Sequence, residues 1–189
     1  TYYSFFNAWG FVGILLGLTI ISSSMFSLFN NYHVRGFKNF LTHNNALFAH
    51  VGVGIMILGI TCSSIFQSEL SYSFSLNDTK KEGKFSFQLE KIEVSEKKNY
   101  QELSAKFKIY SNNKIIAEVS PSKRYYHVSK MITTEAGIYH NWFQDFYMVL
   151  GRENNNKWDV KIYKNPLVNF IWFGVIIMIF SGLLGIRKK

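Results

Sequence analysis

From Ala46 to Phe66 the chain carries no charged residue, a run long enough to cross roughly 30 Å of hydrocarbon as a helix. Two more such runs, about Trp9 to Phe29 and Leu167 to Ile186, flank it. All 12 acidic residues fall between Ser68 and Lys164. A near-zero mean hydropathy therefore averages greasy spans with one polar block, the profile of a membrane protein and not of one soluble globule. The expected fold class is membrane α-helical, with three transmembrane helices and a β-rich extramembrane domain, a small barrel or sandwich, inserted between helices 2 and 3. The expected division is residues 1–67 with two spans (about 9–29 and 46–66) and a basic inner loop 30–45, an external β-domain 68–164, and a final span (about 167–186) with a basic inner tail in 165–189.

Local signals agree. Ser22, Ser23 and Ser24 can bond back to carbonyls of their own helix, so they do not forbid insertion. Tyr2, Tyr3, Phe5, Phe6 and Trp9 make an aromatic belt, and Trp172 a second interfacial anchor. Pro166 suits the first turn of a helix, which has no amide bond to lose there. The short flanks hold Arg35, Lys38 and Arg187-Lys188-Lys189 without an acid, which puts them inside by the positive-inside rule. The β-domain then lies outside, in the periplasm or intermembrane space.

Within the polar block, Lys84–Leu89 and Ala105–Tyr110 alternate apolar and polar residues, the period of a half-buried strand. Ser111-Asn112-Asn113-Lys114 between two such runs is a hairpin signature, and Phe146–Leu150 with Trp158–Tyr163 makes a second pair around Gly151–Asn156. Six or seven short strands fit the block.

Chemistry-bearing residues are few. The single cysteine, Cys62, lies in a span, so neither a disulfide framework nor a structural zinc set is available. A Cys-x-x-Cys-His haem-attachment signature is missing, as is a glycine-rich phosphate loop. His127 and His140 are too far apart for one metal-binding turn and read as ordinary strand or surface residues. Lys123-Arg124-Tyr125-Tyr126 reads as a solvated strand edge or a site for an acidic partner. The net charge of +9 comes with no nucleic-acid module.

The remaining candidate is His50, an imidazole inside the second span. Ionisable groups there are costly and usually face a bundle interior or cavity. At helical spacing Ala46, His50 and Gly54 share one face, with Ala49 and Val53 beside them. Such a notch of small residues suits a closely packed helix or a planar cofactor whose metal the imidazole binds; spacing alone leaves both open.

These segments resemble a known family in register. Asn45–Val53 followed by Gly59–Ser64 is similar to the Ala-His-x-Gly span of the cytochrome c maturation family CcmF. Pro121–Tyr126, Thr133–Ala136, Phe146–Gly151 and Asn165–Gly174 resemble later marks of that family, in the same order. The match covers the family's carboxyl-terminal part, and a chain starting at Thr1 is expected to be a fragment, a processed product or a separately encoded half. The resemblance implies a component of the haem lyase machinery for cytochrome c maturation that is not complete on its own. It implies a haem b held in the membrane, with His50 as one axial ligand to the haem iron and the second axial histidine from a region absent from this chain; the helical spacing then sets Ala46 and Gly54 as the residues expected to pack against that haem. The partners it implies are an amino-terminal CcmF half or subunit, the haem chaperone CcmE, apocytochrome c with its thiol-handling partner, and the lipid bilayer, with no nucleic acid. The implied location is the mitochondrial or bacterial inner membrane. The rival reading is a cofactor-free membrane scaffold that recruits partners through its β-domain; a fragment of a haem transporter ranks last, because three spans enclose no path.

Overall fold

A computed structural model describes residues 2–32, 40 and 43–186, with side chains from residue 8 onward. The side chains of Tyr2, Tyr3, Phe5 and Phe6, the loop residues His33, Arg35 and Lys38, and the tail Arg187-Lys188-Lys189 lie outside the described residues. The chain divides into two compact units: residues 1–67, 142–144 and 165–189 make one, and residues 68–141 and 145–164 the other. The stretch between the second and third helices is therefore not wholly β-domain, a departure from the expected insertion, because Trp142–Gln144 belongs with the helices.

The first unit is built on α1 (Tyr2–Tyr32), α2 (Asn45–Ile65) and α3 (Val168–Ile186). All three contain windows long and apolar enough to cross a membrane. Helix α2 contacts both others, and glycine is what lets it do so. A Cβ on Gly54 would meet the Gly17 carbonyl oxygen of α1 at 3.0 Å, while one on Gly52 would meet the Gly174 carbonyl oxygen of α3 at 2.7 Å. Ser23 Oγ donates to the Ile20 carbonyl at 3.2 Å and Ser64 Oγ to that of Ile60 at 2.8 Å, so these hydroxyls are satisfied within their own helices. Ser181 Oγ donates to the Asn45 carbonyl, tying α3 to the start of α2.

The second unit is a sandwich of two antiparallel sheets. One has the order β1-β10-β9-β8, with β1 (Ser68–Phe74), β8 (Gly137–His140), β9 (Gln144–Asn154) and β10 (Lys157–Pro166). The other runs β2-β3-β4-β6-β7, with β2 (Thr79–Glu82), β3 (Phe85–Glu96), β4 (Tyr100–Ser111), β6 (Ser122–Tyr126) and β7 (Ile132–Glu135); β5 (Lys114–Val119) pairs with β4 beside β6. Inward residues interdigitate: Phe85, Phe87 and Leu89 from β3, Ala105, Phe107 and Ile109 from β4, and Phe146, Met148 and Leu150 from β9. Phe146 meets the Phe85 and Phe87 rings edge-on at 4.8 and 5.2 Å, the arrangement the ring quadrupoles favour.

The turns follow from side chains that tolerate left-handed backbone. Asn112-Asn113 and Asn155-Asn156 have φ of 48°, 62°, 49° and 61°, the signature of two-residue type I′ hairpins. The second hairpin thus turns at two residues and not across Gly151–Asn156. Among the described residues ten strands replace the expected six or seven. The additional ones include β2, β7 and β8, four residues each, too short for alternation to register.

Candidate functional site

His50 lies one turn inside α2 and is exposed on the surface of the helical unit. Its ring makes no hydrogen bond or ion pair among the described residues. Ala46, one turn earlier, is also exposed, and Ala49 and Val53 beside it are half-buried. Gly54, one turn later, is buried instead: the Gly17 carbonyl and the Ile21 side chain of α1 occupy the space a Cβ would need. The small-residue notch is therefore divided. Its Gly54 end serves helix packing, and its Ala46–His50 end stays open. An imidazole with no partner among the described residues, on an apolar face with the Ala46 methyl one turn below, has the donor chemistry of a haem-iron ligand. At Gly54, by contrast, α1 occupies the space beside the helix.

The motifs of the sandwich resolve into scaffolding. Arg124 Nε donates to Glu102 Oε1 at 2.8 Å, its Nη1 lies 3.5 Å from Glu135, and its guanidinium sits 5.0 Å from the Tyr100 ring centre. Ser122 Oγ donates to the same Glu102 oxygen at 2.9 Å. The Pro121–Tyr126 and Thr133–Ala136 motifs thus meet in one network across β4, β6 and β7, and donation by Arg124 holds the Glu102 carboxyl below the usual carboxylate range. Arg124 is committed inside the molecule. Lys123 is half-buried, and desolvation, with the charge of Arg152 adding, lowers its amine below the usual lysine range. Gly137 is required because a Cβ there would meet Pro121 Cδ at 2.7 Å.

His127 Nε2 lies 2.7 Å from Glu96 Oε1, and His140 Nδ1 lies 2.9 Å from the buried Asp145 carboxylate. Each imidazole has a separate carboxylate partner, and no group of three metal-ligating side chains occurs among the described residues. At the C-terminal end of α2, an open depression of about 410 Å³ is lined by Ser63, Ser64, Gln67, Asn165 and Val168; it holds no titratable group and so no acid–base pair.

Sequence reasoning passed over Trp142 and Phe143, which are 79% and 71% exposed. The available signal was two large aromatics in a break between strands, where turn formers are the rule.

The family model described as the CcmF C-terminal beta-sandwich matches residues 65–166. This chain belongs to that family. It is 32% identical over 137 residues to the cytochrome c-type biogenesis protein CcmF of Pseudomonas aeruginosa, covering 72% of this chain and 21% of that protein. It is 27% identical over 188 residues to the cytochrome c-type biogenesis protein NrfE of Haemophilus influenzae, covering 97% of this chain and 28% of the relative. A solved structure of cytochrome c haem lyase CcmF superposes with a TM-score of 0.73 at 14% identity, covering 96% of this chain and 32% of that one. At that identity the likeness speaks for the fold. The chain spans about a fifth to just over a quarter of the curated relatives' length, and it corresponds to a carboxyl-terminal, CcmF-like piece.

Proposed function

We propose that this chain is an inner-membrane component of cytochrome c maturation in which His50 supplies one axial nitrogen to a membrane haem b. The observation that carries the reading is the exposed imidazole on α2, which has no partner among the described residues, in a chain whose relatives are cytochrome c-type biogenesis proteins. The bound haem would supply one-electron redox chemistry, its potential set by axial ligand and dryness of the site. The chain's own residues would hold the imidazole on a rigid helix, leave clearance at Ala46, and exclude water through the apolar face of α2. The second axial histidine would be supplied from outside these residues, and the chain would contribute one part of a haem lyase. The sandwich acts as a docking surface toward the haem chaperone CcmE and apocytochrome c. The basic sequence of the 30–45 connection and of the 187–189 tail supports an orientation with both inside, and the sandwich in the periplasm or the intermembrane space.

The test replaces His50 with alanine in the assembled complex and records the oxidised and reduced visible spectra. Loss of the b-type haem bands is expected, with restoration by added imidazole. Full haem content in the variant would remove the ligand assignment and favour the cofactor-free scaffold, in which His50 only meets a neighbouring helix.

A further inference from the structure

Trp142 and Phe143 are large aromatics placed where a chain can least justify them by packing. They lie between β8 and β9, exposed at 79% and 71%, although each such ring could bury on the order of 150–250 Å². Their segment leaves the sandwich and belongs with the helices. The Phe143 carbonyl accepts the Leu167 amide at 2.9 Å, immediately before α3, which fixes the segment at the level where that helix begins. α2 ends at the same level, since Gln67 Nε2 donates to Asn165 Oδ1 at 2.6 Å and Gly59 lies against Ile171. α1 passes this level within its first few turns, with Gly10 against Ile65. The exposed aromatics Trp9, Phe66 and Trp172, at 64%, 59% and 64%, complete a girdle at that end of the unit.

We propose that Trp142 and Phe143 are an interfacial anchor, a non-helical finger seated in the headgroup region of the lipid bilayer beside the start of α3. The claim rests on the reading that the helices cross a membrane. The occupant is lipid because the segment is grouped and hydrogen-bonded with helices that themselves expose Phe11, Phe26, Ile176 and Phe180, the residues a bilayer would cover. The depth is the interface and not the hydrocarbon core, because irregular backbone needs water for its polar groups and the indole pairs an apolar ring with a wet N–H. Asn141 and Gln144 flank the pair without a charge, so neither desolvation of an ion nor a headgroup salt bridge opposes that depth.

The experiment reconstitutes the full chain in phosphatidylcholine vesicles brominated either near the headgroup or near the chain end. Two variants leave one indole each: Trp9→Phe with Trp158→Phe and Trp172→Phe isolates Trp142, and the matching set isolates Trp172. Emission from Trp142 is expected to fall more with shallow than with deep bromines. Should either variant misfold, the difference between wild type and Trp142→Phe gives the same readout. Quenching of Trp172 but not Trp142 overturns the anchor and leaves the spanning helices standing. A Trp142 shielded from both lipid bromine and aqueous iodide is covered by protein, which also overturns it. Quenching of neither indole by lipid fails the spanning reading itself, and the anchor with it.

Discussion

Gly174 sits where α2 and α3 come closest. A Cβ there would lie 2.5 Å from the Gly52 carbonyl oxygen and 2.8 Å from the Met56 amide nitrogen. Ordinary carbon contacts begin near 3.4 Å, so Gly174→Ala forces an overlap of roughly 0.6 to 0.9 Å. Both opposing atoms are backbone, so no rotamer change relieves the clash and the helices must move apart. Overpacking of this kind costs about 1–3 kcal/mol, and the helix propensity of alanine over glycine returns up to about 1 kcal/mol. The expected net loss is about 0–2 kcal/mol. Gly182 on the same helix meets nothing within 4 Å, so Gly182→Ala should gain up to about 1 kcal/mol from the same chemistry. The chain in detergent micelles, titrated with SDS and followed by far-ultraviolet circular dichroism, should unfold earlier for Gly174→Ala and no earlier for Gly182→Ala than for the parent. Equal midpoints for the two variants would refute the close crossing.

Within the sandwich, Phe146→Ala removes a fully buried ring in contact with Phe85 and Phe87 and should cost about 3–5 kcal/mol in denaturant unfolding; a loss below about 1 kcal/mol would show that the site collapses freely. The carboxyl of Glu102 is held low by Arg124. A depressed folded-state pKa contributes stability above the unfolded-state pKa of about 4.3, lost as pH falls through the folded value. Glu102→Gln should therefore be less stable than the parent at neutral pH and flatten part of the acid limb in a pH series of thermal melts. An unchanged acid limb would mean that the network contributes no pH dependence.

Spans were legible because their signal is composition over a helix length, which neighbours cannot overwrite. The ends of α2 fall at Asn45 and Ile65, beside the limits of the charge-free run. Hairpins were legible where turn chemistry is local, as at Asn112-Asn113. Strands β2 and β7 were not, because four residues carry too little pattern and depend on pairing with β3 and β6. The role of Arg124 was equally hidden: Glu102 and Glu135 are distant in sequence and become its partners only once β4, β6 and β7 align. At the candidate site the face of His50 was legible from helical spacing, but its split was not, since which glycine meets which helix is decided by partners.

That split constrains what His50 can do. Along α2, Gly54 is consumed by α1, and Gly52 and Gly59 by α3. Each of these close approaches joins backbone to backbone, so neither neighbour can withdraw to admit a planar group without surrendering its contact. What the described residues leave uncovered is the stripe bearing Ala46, His50 and Ile60, all exposed. A ligand for His50 must therefore arrive from outside the three-helix packing and not from within it. The glycine contacts and the imidazole then make separable demands. On the proposed haem reading, Gly174→Ala should loosen the helices and lower haem content only as the fold is lost, whereas His50→Ala should remove haem while the unfolding midpoint of the chain stays at the parent's value. Loss of stability and of haem in parallel in the His50 variant would mean that the imidazole serves packing.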